Sequence, residues 1–164
     1  MNEIGKRRRI NIKVLWIIVI PVIIGLSYYI STYHFQLVMI QGNSMEPAYH
    51  EYQIVLIDKH IRPYSYGDVI VFKCNNSDYI LIKRVAAIPG DVVYINEGTL
   101  WINGEKSTVY PDEGVFVQNE TASQPLTLFE GQYFVIGDNI MASIDSRFYE
   151  VGLVDSANIC GVVC

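Results

Sequence analysis

Tyr79-Ile80-Leu81-Ile82-Lys83-Arg84-Val85-Ala86-Ala87-Ile88-Pro89-Gly90-Asp91-Val92-Val93-Tyr94-Ile95-Asn96-Glu97-Gly98-Thr99-Leu100-Trp101-Ile102 is the stretch that decides the fold. Its runs of Ile, Val, Leu and Tyr are short, and Pro89-Gly90-Asp91 and Asn96-Glu97-Gly98 interrupt them with residues that turn the chain. The stretch therefore predicts strands over Tyr79–Val85, Asp91–Ile95 and Thr99–Ile102. Working outward, Gln36–Gln41, Gln53–Asp58 and Asp68–Lys73 before it and Gln132–Ile136 and Ile159–Val163 after it have the same character. Tyr66-Gly67-Asp68 and Asn103-Gly104 add further turns. Frequent short strands with such punctuation predict a mainly β domain, a folded antiparallel sheet or partial barrel. Residues 103–128 are more polar and are expected to form a small flap.

The N-terminus is different. From Val14 to Ile30 no residue is charged, and the run extends toward Tyr33. A helix of about 17–25 residues crosses a bilayer. Trp16, Tyr28, Tyr29 and Tyr33 flank the run, where amphipathic rings favour the interface. Pro21 is tolerable in such a helix. A cleaved secretory signal shares the basic start and apolar middle. However, His34-Phe35-Gln36 follows where small residues would mark a cleavage site, so a retained transmembrane anchor is the expectation. Lys6, Arg7, Arg8, Arg9 and Lys13 precede the run with only Glu3 opposing them. That predicts a cytoplasmic tail (1–13), an anchor (14–33) and an extracytoplasmic β-rich domain (34–164), placing the protein in the plasma membrane as a single-pass chain.

The remainder carries seven basic against sixteen acidic residues, a formal charge of −9. Nucleic-acid binders show the opposite balance, so DNA and RNA are not expected partners. Of the three cysteines, Cys160 and Cys164 pair only if the C-terminus bends back; unpaired burial is the blander reading. Cys74 has no histidine near it in sequence and makes a poor nucleophile candidate. The histidines are scattered and no metal-ligand spacing occurs, so neither metal nor cofactor is expected.

Three segments carry chemistry. Ser44 lies in Gln41-Gly42-Asn43-Ser44-Met45-Glu46-Pro47, an exposed turn after a strand. Lys83 interrupts an apolar strand, where alternation would ordinarily turn a lysine to solvent. Gly137-Asp138-Asn139-Ile140-Met141-Ala142-Ser143-Ile144-Asp145-Ser146-Arg147 is a dense polar loop. Each alone has a purely structural reading. Together, Gly-x-Ser-Met-x-Pro, Gly67-Asp68-Val69-Ile70-Val71-Phe72, Lys-Arg-Val-x-x-x-Pro-Gly-Asp and Gly-Asp-Asn-x-x-x-Ser-x-Asp-Ser-Arg resemble, in order and spacing, the boxes of type I signal peptidases. The resemblance covers essentially the whole chain, in the compact Gram-positive form.

The resemblance implies a membrane-bound serine endopeptidase that removes signal peptides from secretory precursor proteins after small-x-small sites. Its partners would be those precursors, the lipid bilayer and the export machinery. It assigns Ser44 as nucleophile and Lys83 as general base, with Ser143 hydrogen-bonding the lysine amine. Asp145 and Arg147 would form an ion pair beneath the site, and Gly137, Asp138 and Asn139 would shape the supporting loop. Ile40, Met45 and Ile82 are expected to line the substrate pocket. Two departures stand out: Ile140, where the family often has a basic residue, and Ala48-Tyr49, with Tyr49 expected to reshape the pocket. Gly42 has no hydroxyl where some relatives carry one two residues before the nucleophile.

A lysine has an ordinary pKa of about 10.4 and is protonated at neutral pH. It accepts a proton only if burial disfavours its charge, which Leu81, Ile82, Val85 and Met45 are positioned to supply. Two rivals remain. A Ser/His/Asp triad would use His34, His50 or His60, with His50 nearest Ser44 in sequence. A membrane-tethered, catalytically silent relative would chaperone surface-protein or pilus assembly.

Overall fold

The computed structural model describes residues 12–60, 62–75, 79–107, 110 and 121–164. The basic cluster at residues 6–9 lies outside them. The first element is α1, Ile12–Tyr33, with Pro21 inside it. Its segment Leu15–Tyr33 has 19 residues at mean hydropathy 2.0, none of it buried, and is long and apolar enough to cross a membrane. The expected anchor thus corresponds to a single continuous helix.

Eleven strands follow among the described residues: β1 (Phe35–Met39), β2 (Ile54–Asp58), β3 (Val69–Lys73), β4 (Ile80–Ala87), β5 (Val92–Asn96), β6 (Thr99–Ile102), β7 (Glu105–Lys106), β8 (Leu126–Thr127), β9 (Gln132–Ile136), β10 (Val154–Asp155) and β11 (Ile159–Val163). Every strand predicted from sequence is present, with ends shifted by a residue or two. The two-residue strands β7, β8 and β10 were not predicted; so short a run has no alternation to read. β4 continues past Val85 because a register shift against β9 at Val85/Ala87 carries Ala86 and Ala87 into the core.

The strands form a seven-stranded antiparallel sheet in the order β1-β2-β11-β3-β4-β9-β10 and a four-stranded one in the order β7-β6-β5-β8. β3 is covered on both faces, as an unbroken apolar run requires. Ile70 and Phe72 pack with Cys74, Val85, Tyr133 and Val135. Val69 and Val71 pack on the other side with Ile40, Met45, Val55, Ile57 and Ile82. This second cluster joins residues next to β1 and β2 at one edge with β4, so the sheet curls toward a partial barrel. The outer face of β1 and β2 leaves Leu37, Met39, Ile54 and Leu56 exposed, in the cross-strand pairs Leu37–Leu56 and Met39–Ile54.

Of the expected 103–128 flap, residues 108–109 and 111–120 lie outside the described residues. Among the described residues of this stretch, β7 and β8 are edge strands, and Tyr110, Ala122 and Leu128 are buried in the core of the smaller sheet. The cysteines are unpaired, but only Cys74 is buried; Cys160, the second residue of β11, and Cys164, just after the strand, are exposed.

Candidate active site

Ser44 lies in the loop between β1 and β2. Ile40 closes that loop by donating to the Gln53 carbonyl and accepting from the Tyr52 N–H. Gly42 turns the chain at φ +84°, a left-handed conformation that favours glycine. The 137–147 loop then clamps the segment: the Asn139 N–H donates to the Ser44 carbonyl at 3.0 Å and Asn139 Nδ2 to the Asn43 carbonyl at 3.2 Å. Gly137 is required by this approach. A Cβ there would collide with Ser143 Oγ and stand 2.5 Å from the Ser44 carbonyl oxygen.

Lys83 comes from β4, which pairs with β3 along Ile80–Arg84 but with β9 only from Arg84 onward. The edge of Ile80–Lys83 that would face β9 is therefore open. Lys83 is 3% exposed. Its Nζ donates to Ser44 Oγ at 2.8 Å and to the Ile82 carbonyl at 2.9 Å. Burial lowers its pKa to about 8; Arg147 reinforces the shift, while Asp145 and Asp138 oppose it. The amine therefore keeps a neutral fraction of about a tenth at pH 7, far more than an ordinary lysine. At 2.8 Å the contact is short enough for a neutral amine to accept the hydroxyl proton.

Asp145 is fully buried and saturated. It accepts from Arg147 Nε at 2.7 Å, from Ser143 Oγ at 2.7 Å and from the Gly137 N–H at 3.0 Å. Arg147 Nη2 donates to Asp145 as well and to the carbonyls of Ile140 and Ser143. A carboxylate so occupied attracts the lysine weakly enough that burial prevails. Asp138 binds Arg84 through two hydrogen bonds of 2.7 and 2.6 Å, and Arg84 also reaches the Gly67 carbonyl. That pair locks β4, one residue beyond Lys83, to the 137–147 loop that clamps the Ser44 segment.

Two sequence expectations are corrected. The Ser143 hydroxyl bonds Asp145, not the lysine amine, because an ionised carboxylate is the stronger acceptor. Met45 does not line the cleft: it is 1% exposed and packs inside the curl of the sheet with Val55 and Ile57. Tyr49 packs against the same cluster and is likewise absent from the cleft wall. Ile40 and Ile82 do line the cleft, a cavity of about 450 Å³ beside Ser44 and Lys83. Val71, Tyr79 and Leu81, not foreseen, line it too. The role of Arg84 was also missed. Its signal was available, a cation next to Lys83 on the opposite face of the strand.

The histidines lie elsewhere. His50 is exposed beside Glu46 at 3.8 Å, and His34 and His60 bond each other at the foot of α1. None forms a hydrogen bond with Ser44 among the described residues. The Ser44 N–H has no partner there either and is available as a donor. No group of His, Cys, Asp and Glu that could hold a metal occurs among the described residues.

Residues 13–164 match the family described as signal peptidase, peptidase S26. The chain is 30% identical over 171 residues to a signal peptidase I of Bacillus licheniformis, spanning 98% of this chain and 91% of that protein. It is also 30% identical over 167 residues to signal peptidase IB of Staphylococcus aureus, spanning 90% of this chain and 85% of that one. A crystal structure of a signal peptidase I from Enterococcus faecalis shares 28% identity at a TM-score of 0.49, covering 64% of this chain and all of that one.

Proposed function

Since the chain belongs to the signal peptidase family, peptidase S26, we propose that it removes N-terminal signal peptides from exported precursors as a serine endopeptidase, with Ser44 as nucleophile and neutral Lys83 as general base. The observation that carries this reading is the buried amine of Lys83 at 2.8 Å from the Ser44 hydroxyl.

The chemistry follows from that contact. Ser44 Oγ attacks the scissile carbonyl carbon and its proton passes to Lys83 Nζ. The oxyanion forms beside the Ser44 N–H, which donates to it. The tetrahedral adduct collapses, the C–N bond breaks, and the lysine ammonium gives its proton to the departing amine. An acyl ester on Ser44 remains. Water then yields a proton to the same neutral amine and attacks the ester. As the second adduct collapses, the ammonium returns its proton to Ser44 Oγ, releasing the signal-peptide carboxylate. Asp145 and Arg147 act at a distance by keeping each other's charge occupied.

The open edge of β4 accommodates the precursor as an added strand, with main-chain hydrogen bonds giving affinity and side-chain cavities giving selection. The cavity lined by Ile40 and Ile82 admits small residues at −1 and −3. On the membrane side, α1 anchors the chain with its basic N-terminus in the cytoplasm. The exposed Leu37, Met39, Ile54 and Leu56, of which Leu37 and Leu56 adjoin α1, rest on the lipid surface. Ser44 is thereby held where precursors emerge from the bilayer and from the export machinery.

The test is cleavage of a model secretory precursor with an Ala-x-Ala site by the purified full chain in lipid–detergent micelles, compared with Ser44→Ala and Lys83→Ala. Cleavage by the wild type alone is expected. A folded wild type that cuts nothing would favour the tethered-scaffold role, and activity surviving in Lys83→Ala would exclude the dyad.

A further inference from the structure

α1 passes into β1 through one residue. The helix ends at Tyr33, the strand begins at Phe35, and His34 is the joint between them. Residues at the ends of elements are where a hinge absorbs backbone rotation, so His34 sets the angle between α1 and the β domain. Ser44 lies on the loop that follows β1, and the same angle therefore sets where the nucleophile stands relative to the helix.

The chain leaving β2 returns to grip this joint. The Lys59 N–H donates to the His34 carbonyl at 2.8 Å, and Lys59 Nζ donates to the Thr32 carbonyl at 2.8 Å. That places a cation at the C-terminal end of α1, where the helix dipole favours it. His34 Nδ1 and His60 Nε2 are hydrogen-bonded at 3.0 Å. Asp58 Oδ1 accepts from the other ring nitrogen of His60 at 2.6 Å and from the His60 backbone N–H at 2.9 Å. These two bonds hold the Asp58 carboxyl below its usual range, so it stays ionised in mild acid. Asp58, His60 and His34 thus form a hydrogen-bonded chain from the end of β2 to the joint.

The number of protons decides whether this chain holds. A carboxylate only accepts, so His60 Nδ1 carries a proton. His60 Nε2 and His34 Nδ1 then need one proton between them, which either ring can supply. The contact is satisfied when both rings are neutral and when one is charged. With both charged, each of the facing nitrogens carries a proton and neither accepts. The surrounding charges oppose that state. Lys59 and Arg62 are already cationic, Arg62 lies 3.8 Å from Asp68, and Asp58 is the carboxylate bonded to the pair. The other neighbours bring no carboxylate: α1 presents the Tyr29 ring to His34, and Phe35 and Val162 stand opposite Asp58 on β1 and β11. Histidine is the side chain that ordinarily changes charge between pH 5 and 8.

We propose that His34 and His60 are positioning residues that lock the β domain at one angle on α1 at neutral pH, holding Ser44 in place over the bilayer, and that the lock opens in mild acid when both rings are charged. The lock itself is a property of the fold; its consequence for cleavage rests on the endopeptidase reading.

Hydrogen exchange on the full chain in lipid–detergent micelles, corrected for the intrinsic effect of pH, reads the joint through the Lys59 N–H. In the wild type its protection is expected to fall at least about tenfold between pH 7.5 and pH 5.0. His34→Asn keeps a neutral donor and acceptor beside His60 and should stay protected at both pH values. His60→Ala should be weakly protected at both. Unchanged protection in the wild type, or a loss in acid that His34→Asn shares, would overturn the lock. The second measurement is the ratio of kcat/KM for a membrane-inserted precursor to that for a short soluble peptide, in proteoliposomes. Both substrates meet the same Lys83, so its titration cancels. The wild-type ratio is expected to fall about fivefold or more from pH 7.5 to pH 5.5, and the His34→Asn ratio to stay level. A level ratio in the wild type would overturn the positioning role. A wild type that cuts neither substrate would remove the endopeptidase reading and leave exchange to decide the lock.

Discussion

Lys83 Nζ and Ser44 Oγ stand 2.8 Å apart, with the lysine 3% exposed and no carboxylate among the described residues bonded to its amine. Burial brings the amine to about 8, so only about a tenth of it is neutral at pH 7. A base that works unprotonated is lost as pH falls. Below pH 8 kcat/KM is therefore expected to drop about tenfold per pH unit and to level off above it. A pH–rate profile on a short precursor peptide checks this; a flat profile from pH 6 to 9 would contradict it.

The same burial carries a cost in stability. The lysine is charged in the unfolded chain up to its ordinary value near 10.5 but is neutral in the folded chain down to about 8. The unfolded state thus binds more protons between those values, and stability rises with pH across that window. Below pH 8 the penalty is complete, on the order of 3 kcal/mol. Lys83→Met, which fills similar space without charge, is expected to be inactive yet more stable than the wild type at pH 7, by roughly 2–3 kcal/mol. Urea unfolding at pH 7 and pH 10.5 tests it: the gain should shrink toward zero at the higher pH.

Arg147 neutralises a carboxylate that has no exposure. Arg147→Met leaves Asp145 charged, buried and short of a partner, at an expected cost of about 3–5 kcal/mol. It also removes a cation that lowers the lysine pKa and frees an anion that raises it. The midpoint of the pH–rate profile is therefore expected to move alkaline. Arg147→Lys, which keeps the charge but loses the fork, should fold better and shift the midpoint less. An acid shift in either variant would show that Asp145 does not act on the amine.

The strands were legible because short apolar runs and Gly- or Asn-containing turns alternate along the chain. The N-terminal helix was legible because an uncharged apolar run of that length favours one continuous helix. The site is less transparent. A lysine in an apolar strand ordinarily points to solvent, so Lys83 acquired meaning only beside Ser44 and the 137–147 loop, through the family resemblance. Arg84 and Asp138 are 54 residues apart and meet only because β9 returns beside β4, a strand order that local patterns do not specify. Met45 and Ser143 were misplaced for a related reason. Which neighbour a side chain chooses depends on how the sheet curls and on which acceptor carries charge.

Ser143 provides a direct test of that second correction. Its hydroxyl donates to Asp145 at 2.7 Å. Ser143→Ala removes a bond to a charged acceptor and is expected to lower stability by about 1.5–3 kcal/mol. The amine itself loses no bond, so the pH–rate midpoint should move little, and any movement should be alkaline because Asp145 loses one of its donors. Unfolding curves and pH–rate profiles on the same variant separate the two roles. A moved midpoint at unchanged stability would return Ser143 to the lysine.

The exposed face of β1 and β2 allows the proposed membrane orientation to be separated from the chemistry. Leu37 and Ile54 are 68% and 64% exposed, and neither lies in a buried cluster, so charging them does not threaten the core. If they rest on lipid, withdrawing both loses about 1.5–3 kcal/mol of burial per residue at full immersion, and partial immersion still leaves an effect near tenfold. Leu37→Asp/Ile54→Asp is therefore expected to slow cleavage of a membrane-inserted precursor in proteoliposomes about tenfold or more. Cleavage of a short soluble peptide in detergent, where no bilayer orients the domain, should change far less. Equal slowing of both substrates would mean that the face serves folding or the cleft itself. Equal activity on both would mean that α1 alone determines how the domain meets the bilayer.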